Sequence, residues 1–185
     1  MVQDVRPCGT EGGRGQTAAV RAKRLQRIEP GPGQESVWDY PRPPAVEAST
    51  EHIRIELGGA LVAETDDSLR VLETSHPPVY YLPLEAFAVP PHEAGGLSMC
   101  EFKGMAHYLT IAAGDRIAVR SAWTYPDPWP GYEALAGRIA VYPSKMGRCL
   151  VDGEAVVPQE GDFYGGWITS RVVGPFKGAP GTLGW

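Results

Sequence analysis

No Cys-x-x-Cys pair occurs in this 185-residue chain, and its three cysteines, Cys8, Cys100 and Cys149, stand far apart. A zinc held by paired thiolates is excluded on that spacing, and in a reducing compartment all three are expected to be free thiols. The histidines His52, His76, His92 and His107 form no His-x-x-x-His step, so no metal site is expected. No Gly-x-Ser-x-Gly occurs, which removes the nucleophile elbow of serine hydrolases. No Gly-Ser motif precedes an Asp-x-Asp pair, so the carboxylates that would hold Mg²⁺ for nucleotidyl transfer are missing. No apolar run approaches the ~20 residues of a bilayer span, and the N-terminus carries no apolar signal segment. The expectation is a cytoplasmic protein without membrane contact.

Hydrophobic residues at 43% are enough for one domain with a real core. Charge divides the chain. Residues 1–33 carry six basic side chains against three acidic ones, and the remainder carries eleven against nineteen. An acidic body argues against nucleic acid as a partner of the folded part. The basic, glycine-rich residues 1–33 read as a flexible extension with one short helix at 17–27, capped by Thr17 and cut off by Pro30-Gly31-Pro32-Gly33.

From residue 34 to 185 the pattern is that of a single β domain. Glu35 to Pro44 is a proline-held extended arm, anchored by Trp38 and Tyr40. His52 to Leu57 alternates with period two, Gly58-Gly59 turns, and Ala60 to Thr65 returns, which is a hairpin signal. Further strands are expected at 69–73, 79–83, 99–103, 106–111, 116–123, 137–142 and 149–151, with helical turns at 84–87 and 131–135. Residues 152–185 hold eight glycines and no helical period, so they are expected to form turns and very short strands.

Three clusters carry candidate chemistry. In Cys100-Glu101-Phe102-Lys103-Gly104, a thiol beside an ammonium would gain thiolate character. A regular strand would put Cys100 and Lys103 on opposite faces, unless a bulge or a turn at Gly104 intervenes. Glu73, before Thr74-Ser75-His76, is placed to act as acid, base or ligand anchor, or else to pair with an arginine. Trp123-Thr124-Tyr125-Pro126-Asp127-Pro128 offers flat apolar walls and phenolic handles, or else core and turn formers. The same alternatives hold for Tyr80, Tyr81 and Tyr142. No cofactor is implied by any of these residues.

Glu35–Pro44, the run Arg70 to Tyr81, Cys100–Gly104, Trp123–Pro128, Tyr142-Pro143 and the aromatic-glycine tail together resemble a family catalogued as a domain of unknown function, DUF427. The resemblance covers about residues 35–185. It implies a β-tent of the Mss4-like kind, shared with methionine sulfoxide reductase B, the thalidomide-binding domain of cereblon and the RNA-sensing domain of RIG-I-like receptors. Two antiparallel sheets of three or four strands would lean together over a groove. The nucleotidyltransferase label sometimes given to the family finds no motif here. On this reading the protein binds a small molecule in the groove, with Glu73, Tyr81, Cys100, Lys103, Trp123, Tyr125, Asp127 and Tyr142 around it. A thiol-dependent enzyme with Cys100, Lys103 and Glu73 in catalytic roles is the alternative, and a protein-interaction module is a third. Monomer and homodimer both remain open.

Overall fold

The computed structural model describes residues 26–161, 163–182, 184 and 185. Over these residues the chain folds as a mainly β structure with several antiparallel sheets and, among the described residues, no closed barrel. The strands are β1 (Glu35–Ser36), β2 (Ala45–Ser49), β3 (Ile53–Leu57), β4 (Ala60–Thr65), β5 (Ser68–Leu72), β6 (Val79–Pro83), β7 (His92–Cys100) and β8 (Gly104–Ala113). They continue with β9 (Arg116–Thr124), β10 (Arg138–Val141), β11 (Arg148–Val151), β12 (Glu154–Ala155), β13 (Val157–Pro158), β14 (Trp167–Ile168) and β15 (Val172–Val173). A seven-stranded sheet runs β2-β5-β6-β10-β9-β8-β7, and a four-stranded sheet runs β12-β11-β3-β4. Two ribbons complete the fold: parallel β1–β15 and antiparallel β13–β14.

Strand alternation sorts the large sheet into two faces. Tyr80, Leu82, Leu109, Ile111, Ala122, Ile139 and Val141 point to the four-stranded sheet, where they meet Ile53, Ile55, Val62, Cys149 and Val151. Trp167 closes this layer, almost wholly buried, with its indole N–H donating to the Val141 carbonyl at 3.2 Å. The other face carries Val71, Tyr81, Ala106, Trp123, Tyr125, Ala140 and Tyr142. Among the described residues no second sheet covers that face. Irregular segments do: the arm, residues 73–78, residues 125–135 and the tail.

Several expectations are corrected here. The larger sheet has seven strands rather than three or four. The space between the sheets is filled by branched aliphatics and Trp167 rather than left as a groove. His92–Cys100 is one nine-residue edge strand, where only a short strand at 99–103 was expected. Its Ala-Gly-Gly centre has poor β-propensity, and the register shift between Glu93 and Leu97 absorbs Gly95 and Gly96. β2 had no counterpart in the sequence pattern. The hairpin at Gly58-Gly59 and the strand at 79–83 stand where expected.

The helix expected at 17–27 falls, but for its last two residues, outside the described residues. Arg27 and Ile28 already touch the body: the Arg27 guanidinium lies 5.3 Å from the centre of the Trp38 ring, and the Ile28 N–H donates to Gly174 at 3.1 Å. Trp38 in turn donates to the Pro175 carbonyl at 2.8 Å, so arm and tail are laced together.

Candidate functional site

A cavity of about 360 Å³ opens on the outer face of the seven-stranded sheet. Its floor is Val71, Val79, Tyr81, Ala106 and Trp123, outward-facing members of β5, β6, β8 and β9. Exposed rim residues, among them Met99 and Phe163, leave it open to solvent. The volume lies at the small end of ligand sites, which run from ~300 to ~1,000 Å³.

Four short irregular pieces bring polar groups onto this floor. The first is the hairpin turn between β7 and β8. Cys100 pairs with Gly104, and Glu101, Phe102 and Lys103 form the turn. Gly104 makes it possible: its φ is +100°, and a Cβ there would stand 2.9 Å from Cδ1 of Trp129. The strand expected at 99–103 therefore ends at Cys100, and Cys100 and Lys103 line the same cavity instead of facing opposite ways. The turn is the exception that the strand parity allowed for.

The second piece is the turn at 73–76. His76 N–H donates to the Glu73 carbonyl at 2.9 Å, with Ser75 in the left-handed region at φ 71° and wholly buried. A non-glycine residue held there is sparsely populated backbone, kept by the surrounding bonds. It puts Glu73 and His76 on one side. Glu73 faces Arg42 of the arm at 3.6 Å, and the same arginine reaches Glu101 at 3.0 Å. The third piece is the arm itself, pinned by the Tyr132 hydroxyl donating to the Pro44 carbonyl at 2.9 Å.

The tail is the fourth piece. Gly165, φ +68°, lies so close to the floor that a Cβ would meet Cη2 of Trp123 at 2.6 Å and Cδ1 of Tyr142 at 3.0 Å. That approach sets Phe163 and Tyr164 as a wall, with the Tyr142 hydroxyl donating to the Phe163 carbonyl at 3.2 Å. Replacing Gly165 by Ala is expected to cost about 1–2 kcal/mol, because it adds both a backbone penalty and a clash. Urea unfolding checks this, and a neutral result would mean that the tail is not seated on Trp123.

His76 is buried and holds a defined tautomer. Gln159 Oε1 accepts from the Gly166 N–H at 3.0 Å, so its amide nitrogen is the donor, 3.2 Å from His76 Nδ1. Nδ1 therefore accepts, and the ring proton sits on Nε2, which has no partner among the described residues. Burial pushes the His76 pKa down to about 3, helped by the positive charges of Lys177, Arg42 and Lys103. The ring is neutral at physiological pH and offers one N–H. Its face packs edge-on against Tyr164, centroids 4.5 Å apart.

The aromatic wall is tightly bound. Trp123 Nε1 donates to the Tyr81 hydroxyl at 3.1 Å, and the Trp123 and Tyr142 rings lie 4.4 Å apart. Burial raises the Tyr81, Tyr125 and Tyr142 hydroxyls well above the ordinary phenol range, so all three stay protonated. Lys103 is only 7% exposed. Lys177 donates to the main-chain oxygen of Trp185 at 2.9 Å and stands over the Tyr164 ring.

Of the residues singled out from sequence, Glu73, Tyr81, Cys100, Lys103, Trp123, Tyr125 and Tyr142 line the cavity, and Asp127 does not. Tyr125 turns inward, and the prolines on either side of Asp127 hold it out in solvent. Arg42, His76, Tyr108, Phe163, Tyr164 and Lys177 also line the cavity. His76 stood in a cluster already noted, but Arg42 and Lys177 sit in arm and tail segments with no local chemical signal.

Among the described residues no three His, Cys, Asp or Glu side chains converge as a metal ion would need, and no helix is long and apolar enough to cross a membrane. Melting curves with and without a strong chelator are expected to coincide, and a chelator-induced loss of stability would reveal a metal the fold depends on.

Residues 45–152 match the domain-of-unknown-function family DUF427, and the chain belongs to that family. The match takes in the cavity floor and the Cys100–Gly104 turn. It is shorter than the resemblance suggested and leaves out Arg42, Phe163, Tyr164 and Lys177. A comparison with curated proteins returned no match.

Proposed function

We propose that this DUF427 domain binds a small molecule in the cavity on the outer face of its large sheet. The observation that carries the reading is the company the cavity keeps: a stacked wall of Trp123, Tyr81, Tyr125 and Tyr142 facing a buried lysine and a neutral histidine N–H. Apolar walls with a few convergent polar groups are the ordinary make-up of ligand sites. Glu73 serves by holding Arg42, and the arm and tail close the sides. The architecture is of the β-tent kind, with the ligand site moved from the space between the sheets to the far face of one of them. The domain works in the cytoplasm, the compartment its free thiols suit, and its partner is a small molecule rather than nucleic acid or membrane.

The test is native mass spectrometry of freshly purified protein, wild type beside Ala106→Phe, which fills the floor. An added mass on the wild type alone is expected. Equal masses on both proteins, or an added mass that survives in Ala106→Phe, would sink the reading.

The position of Cys100 on the cavity wall keeps a second reading in play, in which the thiol is a nucleophile or redox group acting on the bound molecule. It predicts a covalent adduct at Cys100 that Cys100→Ser abolishes without loss of reversible binding.

A further inference from the structure

We propose that the ligand is a small aromatic or conjugated carboxylate whose negative charge is taken by Lys103, an inference that rests on the cavity being a ligand site. Three observations lead there.

The first is a charge left without a partner. Lys103 is more than nine-tenths buried and lines the cavity, yet among the described residues its ammonium makes no salt bridge or hydrogen bond. The stem accounts for the burial, and the ammonium itself opens on the cavity, where an entering anion would meet it. Among the described residues, the carboxylates nearby do not supply the pairing. Glu73 and Glu101 both turn to Arg42, and Glu101 is largely exposed. Lys177 is held by the Trp185 oxygen. Among the described residues, Lys103 is the cation with room for an outside anion.

The second is an excess of donors. The Tyr108 hydroxyl donates to Ser98 Oγ at 3.0 Å, Tyr142 to the Phe163 carbonyl, and the Tyr81 oxygen accepts from Trp123. Among the described residues Lys103 Nζ and His76 Nε2–H have no partner, and both residues line the cavity. Lys103 is also near enough to add to the depression of the His76 pKa. Two neighbouring donors, one of them cationic, fit the two oxygens of a carboxylate. A phosphate asks for more, and the described residues contain no α-helix whose N-terminus could cradle one.

The third is shape. The rings of Trp123, Tyr81 and Tyr125 suit a flat body, and about 360 Å³ suits one or two rings.

The experiment measures binding of benzoate and indole-3-carboxylate, their neutral amides and phenyl phosphate, by tryptophan fluorescence and by shift in melting temperature. The proteins are wild type, Lys103→Met, Lys103→Gln and, as a control, Lys145→Met, whose ammonium is bonded to the Arg120 carbonyl. The acids are expected to bind at least tenfold more tightly than the amides. That preference vanishes in both Lys103 variants and persists in the control. Unliganded Lys103→Met is expected to melt at or above wild type, which a merely structural lysine would not allow. Amides that bind wild type as well as the acids do would overturn the anion assignment and leave the cavity reading standing. Phenyl phosphate binding tenfold tighter than benzoate would overturn the carboxylate in favour of a phosphoester. If none of these probes binds wild type, the proposal fails, and a co-purifying mass that Ala106→Phe removes would still uphold the cavity. Should both Lys103 variants fail to fold, Lys103 is a structural cation and its assignment to the ligand's charge falls.

Discussion

Lowering the pH from 7 to 5 is expected to take about 2 kcal/mol from the stability of this protein through His76 alone. The ring titrates near 6.5 when the chain is unfolded and near 3 when folded, with burial as the main cause and Lys177, Arg42 and Lys103 adding to it. Between those values the unfolded chain holds a proton that the folded one refuses. Stability from this residue is therefore complete above pH 6.5 and drains away as the pH falls toward 3. Urea unfolding of wild type and His76→Asn at pH 7, 6 and 5 measures it. Asn keeps an acceptor for Gln159 and cannot titrate. The variant should be less stable than wild type at pH 7 and should lose less on acidification. Parallel losses in the two proteins would mean that His76 takes up its proton in the folded state, and the cavity would then be wetter than its geometry implies.

Cys100 is expected to react with a thiol probe at least a hundredfold faster than Cys149 at pH 8. Cys149 lies on β11 in the layer between the sheets, and burial pushes its thiol up to about 12. Only about one part in ten thousand is thiolate at that pH, and the probe must also reach it. Cys100 stands half-buried on the wall of an open cavity. Labelling rates for Cys100→Ser, Cys149→Ser and wild type separate the two thiols. A Cys100 that stays inert until the protein unfolds would remove the thiol-enzyme reading. Protection of Cys100 by an added aromatic acid would tie the thiol to the bound ligand.

Much of the sheet was legible because half-buried strands announce themselves by alternation. His52 to Leu57 and Val79 to Pro83 are such strands. Their parity alone places Tyr80 in the core and Tyr81 on the other face. What alternation cannot carry is which face a second sheet will cover. The cavity was expected between the sheets for that reason, and the filling of that layer by Ile53, Ile55, Val151 and Trp167 moves it across. The candidate site was read well where chemistry clusters along the chain, as at Cys100–Gly104, once Gly104 turned the strand back. It was read poorly where residues converge from afar. Arg42, His76 and Lys177 meet only because Thr74 N–H bonds the Pro41 carbonyl and Lys177 N–H bonds Ser75, long-range pairings that leave no local trace. Asp127 shows the converse: a polar residue inside a promising motif, carried outward by its prolines.

The parallel ribbon of Glu35–Ser36 with Val172–Val173 works as a clasp. It fastens the segment that supplies Arg42 to the segment that supplies Lys177 and Tyr164, and neither segment belongs to the two main sheets. Two bridged residues on each side are a weak fastening compared with a seven-stranded ladder. Partial opening of the molecule should therefore begin there and strip the cavity of its walls while both sheets stay intact. Hydrogen exchange would register this as early loss of protection at Glu35, Val37 and Lys177, with Tyr81 and Trp123 still closed. Occupancy of the cavity and closure of the clasp are then one equilibrium, so whatever fills the cavity also fastens the protein.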